Sequence, residues 1–343
     1  MASFDQHVFQ RLLRAGAMEH TEGQADASRR RRLGFGAGWI SRLRDRRPAS
    51  DHSSPRHDGP DSRQGWSWSE QVAPFGVEGV RVHHHMLDAS GQGGAQHCPA
   101  AGWGMIVSGS AILEIEPRKG EAQLRDLLRA GDVWSVPATA NAWFHCCEDQ
   151  AASVIAFIGG REANTSDPGL CNPFADDTQG GSGFHHRLMA QPALDRPWGS
   201  LRVVEADAFC DPDALSAALI EVSPSSQTDL HWHLNTAVWS ICLEGEGSLT
   251  QVPAGISPQT TFLKPGQVGH VPRAEGYYLR NDGQTMLTVL EIFRSDHYHD
   301  LSLHEWLAAS SVESIAAHLC VDVGMIARLS HAGETQGRLS TRL

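Results

Sequence analysis

The sequence predicts an all-β protein built from two tandem copies of one antiparallel barrel or sandwich domain, with short helices. Two observations carry this prediction. The first is an internal repeat. Trp103, Gly109 and Leu113 recur as Trp239, Gly245 and Leu249 at an offset of 136 residues. Further along, Gly131-Asp-Val-Trp-Ser-Val-Pro137 recurs as Gly266-Gln-Val-Gly-His-Val-Pro272 at an offset of 135. Landmarks repeated at nearly constant spacing are the mark of a duplicated unit. The second observation is local: short apolar runs such as Ala111–Ile115 and Thr285–Leu290 are bounded by Gly and Pro turns. Runs of that length between turn signals read as antiparallel strands. The 34 glycines and 17 prolines in 343 residues supply the turns that many short strands need.

The repeat divides the chain into an N-terminal domain over 61–188 and a C-terminal domain over 189–343. Residues 1–60 differ in composition and read as a basic, disordered tail. Arg29–Arg32 is an arginine run, followed by Arg42, Arg44, Arg46 and Arg47. Arg29-Arg30 could open a twin-arginine export signal. Leu33–Ile40 is short and glycine-diluted, however, and no small-residue cleavage site follows, so a solvated tail is the better reading. Near the other end, Val312–Leu319 has helical spacing and reads as a closing helix.

Composition excludes several function classes. Hydrophobic residues make up 41% and charged residues 20%, as in a soluble globular protein. The net charge of −12 argues against nucleic acid as partner. No apolar run approaches the ~20 residues that a membrane helix needs. Seven cysteines without a CxxC pair suggest mostly buried free thiols in a reducing, cytoplasmic setting. A small molecule is the expected substrate or ligand.

The chemistry concentrates at His231-Trp232-His233. On a β-strand, alternating side chains put both imidazoles on one face, a ready pair for a transition metal. The wider context carries a resemblance. The run Asp229-Leu-His-Trp-His-Leu-Asn-Thr236, with Trp239 and Gly245, resembles the first metal motif of bicupins of the oxalate decarboxylase type. Gly266–Asn281 resembles the second motif. Leu290-Glu-Ile-Phe-Arg-Ser-Asp-His-Tyr298, Ser302–Leu307 and Ala317-His-Leu319 resemble the C-terminal extension, and Gly65-Trp66 and His186–Ala190 the earlier segments. The likeness spans roughly residues 60 to 330. It implies two jelly-roll cupin domains, each binding manganese through three histidines and one glutamate, in a homo-oligomer.

Measured against that pattern, the C-terminal cupin keeps His231 and His233 and the closing Asn281. Val238 stands at the glutamate position and Tyr277 at the last histidine position. Two imidazoles alone suit a hard divalent ion poorly. A Tyr277 phenolate would favour a ferric or cupric ion, and the alternative is a pair of histidines kept only by packing. The N-terminal cupin is more degenerate. One register places Gln96 and Cys98 at its histidine positions and the other places Ala95 and His97 there. Gly102 and Ala142 occupy the remaining two positions. The resemblance also implies a substrate-orienting arginine and a lid glutamate. Gly93 and Thr228 stand where the arginine would be, and Glu162 is the nearest match to the lid acid.

These residues suggest a diverged bicupin acting on a small carboxylate-bearing metabolite, by lyase or decarboxylase, isomerase or cyclase chemistry, in specialised metabolism. Tyr277, His231 and His233 are its candidate catalytic groups. Val238, Asn281, Gln96, His97 and Cys98 are candidate pocket residues. One divalent, ferric or cupric ion at His231 and His233 is the expected cofactor, with no other. The competing readings are a non-catalytic ligand-binding or partner module, and an oxalate decarboxylase with an atypical metal site. A second His-x-His, Asp296-His-Tyr-His-Asp300, is expected outside the pocket, as polar surface or subunit contact.

Overall fold

A computed structural model of the chain describes residues 67–72, 80–87, 96–97, 102–116, 123–137, 140–146, 152–158 and 183–327. The basic segment 1–60, Cys98 and the segment around Glu162 lie outside the described residues. The first ten strands are β1 (Ser67–Val72), β2 (Val80–Leu87), β3 (Gln96–His97), β4 (Gly102–Ser108), β5 (Ser110–Glu116), β6 (Leu124–Arg129), β7 (Val133–Val136), β8 (Asn141–Cys146), β9 (Ala152–Ile158) and β10 (His185–His186). The second set is β11 (Leu194–Arg196), β12 (Gly199–Val204), β13 (Ser216–Val222), β14 (His231–Trp232), β15 (Val238–Glu244), β16 (Gly247–Val252) and β17 (Gln259–Leu263). It continues with β18 (Val268–Val271), β19 (Gly276–Asn281), β20 (Leu287–Phe293) and β21 (Leu301–Ser302). Helices α1 (Leu303–Ala308) and α2 (Val312–Leu319) follow, α2 over the residues its spacing predicts, and the described chain ends in a further helical stretch over 323–327.

Each set folds into two antiparallel sheets, and the strand order repeats. The order β2-β9-β4-β7 in the first half is matched by β13-β20-β15-β18 in the second. The facing sheets, β3-β8-β5-β6 and β14-β19-β16-β17, correspond in the same way. Even the irregularities recur. The β4–β9 register shifts between Ile106 and Ser108, and the β15–β20 register between Cys242 and Glu244. The glycine after each bulge, Gly109 and Gly245, has positive φ, at 73° and 82°. A side chain there is strained by backbone conformation alone. At Gly245 an added Cβ would also collide with the Met286 carbonyl.

Strands β4 and β15 are buried along nearly their whole length, which explains their nearly unbroken apolar sequences. One face of each points into its own barrel. Ile106 joins Leu113, Trp134 and Phe144 in the N-terminal core, while Val238 and Cys242 join Tyr277, Leu279 and Phe293 in the C-terminal core. The alternate residues, Trp103, Met105 and Val107 of β4 and Trp239, Ile241 and Leu243 of β15, meet in a third core between the two barrels.

The cysteines depart from expectation in part. Cys242 is a buried free thiol, pushed up to about 12 by burial, but Cys320 is free and exposed, and Cys210 is disulfide-bonded. No helix among the described residues is long and apolar enough to cross a membrane.

Candidate functional site

Strand pairing assembles the site. His231 on β14 lies directly opposite Tyr277 on β19, and their rings are 4.2 Å apart. His233 follows just past the end of β14, with its ring 5.4 Å from that of His231. Both imidazoles are buried. Their orientations are fixed by backbone carbonyls. Nδ1 of His231 lies 2.8 Å from the Asp229 carbonyl oxygen, and Nδ1 of His233 lies 2.8 Å from that of His299. A carbonyl can only accept, so each Nδ1 carries a proton, and the neutral form of either ring has its lone pair on Nε2. Burial, followed by repulsion from His231, pushes His233 down to about 3, so it stays neutral. Its Nε2 is buried without a hydrogen-bond partner.

A carboxylate that sequence reasoning did not assign stands beside them. Glu291, in the middle of β20, lies opposite Ser240 on β15 and Ala218 on β13. It is fully buried. Tyr277 donates its hydroxyl to Oε2 at 2.8 Å, and Ser240 donates to Oε1 at 3.1 Å. Burial raises the Glu291 carboxyl, against the lowering influence of His231, Tyr277 and Ser240. Burial and the neighbouring Glu291 charge hold Tyr277 well above its ordinary range, so it is a neutral phenol. One ligand atom from each of His231, His233 and Glu291 lies within 4.8 Å of the others. Among the described residues this is the one such convergence. The orphaned Nε2 of His233, with a carboxylate in reach, shows that these residues fit a metal ion. Glu291 was legible in one respect: it is a lone acid in the buried run Leu-Thr-Val-Leu-Glu-Ile-Phe, and a buried charge is the informative exception.

The other predicted residues fall as follows. Val238 is packed in the barrel core beside Tyr277 and opposite Phe293. Asn281 is buried at the far end of β19, four residues from Tyr277, or about 13 Å by strand rise. Its Nδ2 donates to the Val222 and Thr285 carbonyls and its Oδ1 accepts from Gly283 N–H, so all three bonds hold backbone together. Thr228 is likewise occupied, with Oγ1 accepting from Leu279 N–H. In the N-terminal barrel, Gln96 and His97 form β3 opposite Phe144 and Trp143. Ala142 is buried in the apolar core.

The second His-x-His requires a correction. Its two histidines, His297 and His299, are exposed, as expected of a polar surface motif, but Tyr298 between them turns inward. Asn235 Nδ2 donates to Ser295 Oγ and the His297 carbonyl, and Tyr298 N–H donates to Glu205. These bonds fold the segment back across the barrel. Tyr298 then packs on His233 at 5.5 Å and on Phe293 at 5.3 Å, while the His299 carbonyl orients His233. His297 remains 60% exposed in its side chain, so only part of the motif is surface. Asp300 is close enough for the His231 charge to act on its carboxyl, which burial raises. Behind Asp229, His304 of α1 forms an ion pair at 3.3 Å. The Asp229 carboxylate raises His304.

Comparison with known proteins agrees with this geometry. The cupin family model matches residues 194–323. The oxalate decarboxylase of Bacillus subtilis (strain 168) is 27% identical over 263 residues, covering 64% of this chain and 68% of that protein. A probable oxalate decarboxylase of Arthroderma benhamiae is 26% identical over 153 residues, covering 44% of this chain but 38% of the relative. The chain therefore spans well under half the length of that fungal relative. A solved structure of the Bacillus subtilis enzyme, a protein with Mn(II) centres, superposes with a TM-score of 0.65 at 22% identity, covering 78% of this chain and 82% of that one. The repeated topology, the His-x-His of the C-terminal barrel and these relatives together make the chain similar to the bicupins of the oxalate decarboxylase type, with a cupin match over residues 194–323.

Proposed function

We propose that the C-terminal barrel is a metal-assisted active site for a small carboxylate-bearing metabolite, with chemistry of the lyase type and decarboxylation as the family-level reaction. The observation that carries this reading is the convergence of two fixed imidazole lone pairs on a buried carboxylate beside a neutral phenol. A divalent ion held by His231 and His233 would supply Lewis-acid polarisation of a substrate carboxylate. The chain's own groups supply the rest. Loss of CO2 from a carboxylate breaks a C–C bond, leaves the electron pair on carbon, and consumes one proton there. Tyr277 is the proton donor at that carbon through its phenolic O–H. Val238, Phe293 and Tyr298 exclude water around it. A divalent ion suits the site better than a ferric or cupric one, because burial keeps Tyr277 protonated rather than a phenolate.

Oxalate is not favoured as substrate. Thr228, where the resemblance places an arginine, carries only a neutral hydroxyl, so it offers no cationic grip on a second carboxylate. A monocarboxylate or 2-oxo acid with an apolar portion matches the Val238–Phe293–Tyr298 wall. The setting in specialised metabolism rests on this changed pocket.

The test is CO2 release from a panel of carboxylates, oxalate included, with the metal-loaded parent and with His231→Ala. Turnover of one class, reduced a hundredfold or more in the variant, is the expected result. A ligand bound equally by both proteins with no turnover in either would establish a binding module instead.

A further inference from the structure

The carboxylate that the family pattern places at position 238 is absent, yet the site contains one from another strand. We propose that Glu291 has become the metal-binding carboxylate of this barrel, forming with His231 and His233 a two-imidazole, one-carboxylate set for a divalent first-row ion, with Tyr277 and Ser240 as its positioning residues. The inference rests on reading the C-terminal barrel as a metal-assisted site, and it names the donor that completes it.

Strand register makes the exchange understandable. Val238 pairs with Phe293, whereas Ser240, two residues along the same strand, pairs with Glu291. The inward-facing acid has thus moved to the neighbouring strand and one pleat along, about 7 Å by strand rise. A glutamate side chain spans much of that distance, and its oxygens come within 4.8 Å of ring nitrogens of both histidines.

The state of each donor points the same way. Each histidine has its Nδ1 proton committed to a carbonyl from a different segment, Asp229 for one and His299 for the other. This is the usual means of fixing a ligating imidazole. His233 is 2% exposed, and its Nε2 has no hydrogen-bond partner. A lone pair buried in that way is costly unless an ion or water accepts it. Glu291 has one hydroxyl on each oxygen, Tyr277 on Oε2 and Ser240 on Oε1. A carboxylate has about four acceptor sites, so both oxygens keep a lone pair for a cation. With those two hydroxyls alone, an ionised carboxylate at zero exposure is badly undersolvated, and a divalent ion supplies the missing counter-charge.

The donor set also narrows the ion. Two imidazoles and one carboxylate suit iron(II), manganese(II), cobalt(II) or zinc(II) and disfavour the all-oxygen preference of magnesium and calcium. Three protein donors leave one more position open than four would, which admits a substrate that chelates through two oxygens.

The test uses the full chain, stripped with chelator and titrated separately with iron(II) under anaerobic conditions, manganese(II), cobalt(II) and zinc(II). Metal per chain after desalting, Kd, and the metal-induced rise in Tm are the readouts, none of which requires turnover. The parent should take up an ion that His231→Ala/His233→Ala loses. Glu291→Gln should weaken binding a hundredfold or more, and Tyr277→Phe about tenfold, as expected of a residue that orients a ligand. Glu291→Gln binding within threefold of the parent, while the double histidine variant loses the ion, overturns Glu291 as ligand and leaves the metal site standing. A parent that binds none of the four ions removes both the inference and the metal from the proposed function. Should Glu291→Gln fail to fold, Glu291→Asp keeps the charge and shortens the reach by one methylene. A tenfold weaker site is then expected, and unchanged affinity refutes the role.

Discussion

Asn281 offers a sharp separation of scaffold from site. Its position in the second cupin motif suggests a pocket residue, but its side chain makes three hydrogen bonds to backbone at the far end of β19. Asn281→Ala removes all three. At about 1 kcal/mol net for each buried hydrogen bond, the loss amounts to about 3 kcal/mol. For a folding unit of 150–250 residues this corresponds to a fall in Tm of roughly 6–12 °C. Asn281→Asp should be at least as damaging, because a carboxylate cannot donate to the Val222 and Thr285 carbonyls. Thermal unfolding followed by circular dichroism measures both variants, with metal content determined on the same samples at a temperature where each remains folded. A large fall in Tm with metal content unchanged is the expected result. An unchanged Tm with metal or turnover lost would refute it and return Asn281 to the pocket.

Two further expectations concern stability. In metal-free protein, His233 sits at about 3 when folded, against its ordinary 6.5 when unfolded. Above pH 6.5 both states are neutral and folding is not penalised. Below it, only the unfolded state gains the proton, so stability falls as pH drops from 6.5 towards 3. Between pH 7 and pH 5 the loss is about 2 kcal/mol, readable by urea unfolding. His233→Gln should flatten that dependence, and parallel pH profiles for parent and variant would contradict the assignment. At helix α1, Ser302 accepts from Glu305 N–H while Glu305 reaches back to Ser302 N–H. Ser302→Ala should cost about 1 kcal/mol and speed amide exchange in α1, whereas unaltered exchange there would show that the cap contributes nothing.

Much of the fold could be read from the chain because duplication leaves a signal that accumulates over many positions. Trp103 with Trp239, Gly109 with Gly245 and Gly131 with Gly266 each mark a strand or turn that the structure repeats. Part of the site was legible for a similar reason: His231 and Tyr277 sit opposite one another on paired strands, and His233 follows just past the end of β14. Glu291 was not read because its distance of 60 residues from His231 is closed only by sheet pairing. A motif defined by spacing along β14 and β15 cannot report an acid that arrives from β20. Tyr298 was missed for a related reason, since only the hydrogen bond from Asn235 to the His297 carbonyl and the one from Tyr298 N–H to Glu205 show that its loop turns inward. Thr285–Leu290, read as a strand, begins two residues early because Thr285 gives its carbonyl to Asn281 rather than to a ladder.

The core shared between the barrels ties the two halves of the chain into one unit. Trp103, Met105 and Val107 on one side and Trp239, Ile241 and Leu243 on the other form a single apolar mass. Deleting the first repeat would strip the back of β15 and leave its tryptophan and leucine facing water. The inner face of that same strand holds Ser240 against Glu291. The first half therefore serves as the wall against which the strand carrying Ser240 is mounted, so a change on its outer face would be felt at Glu291.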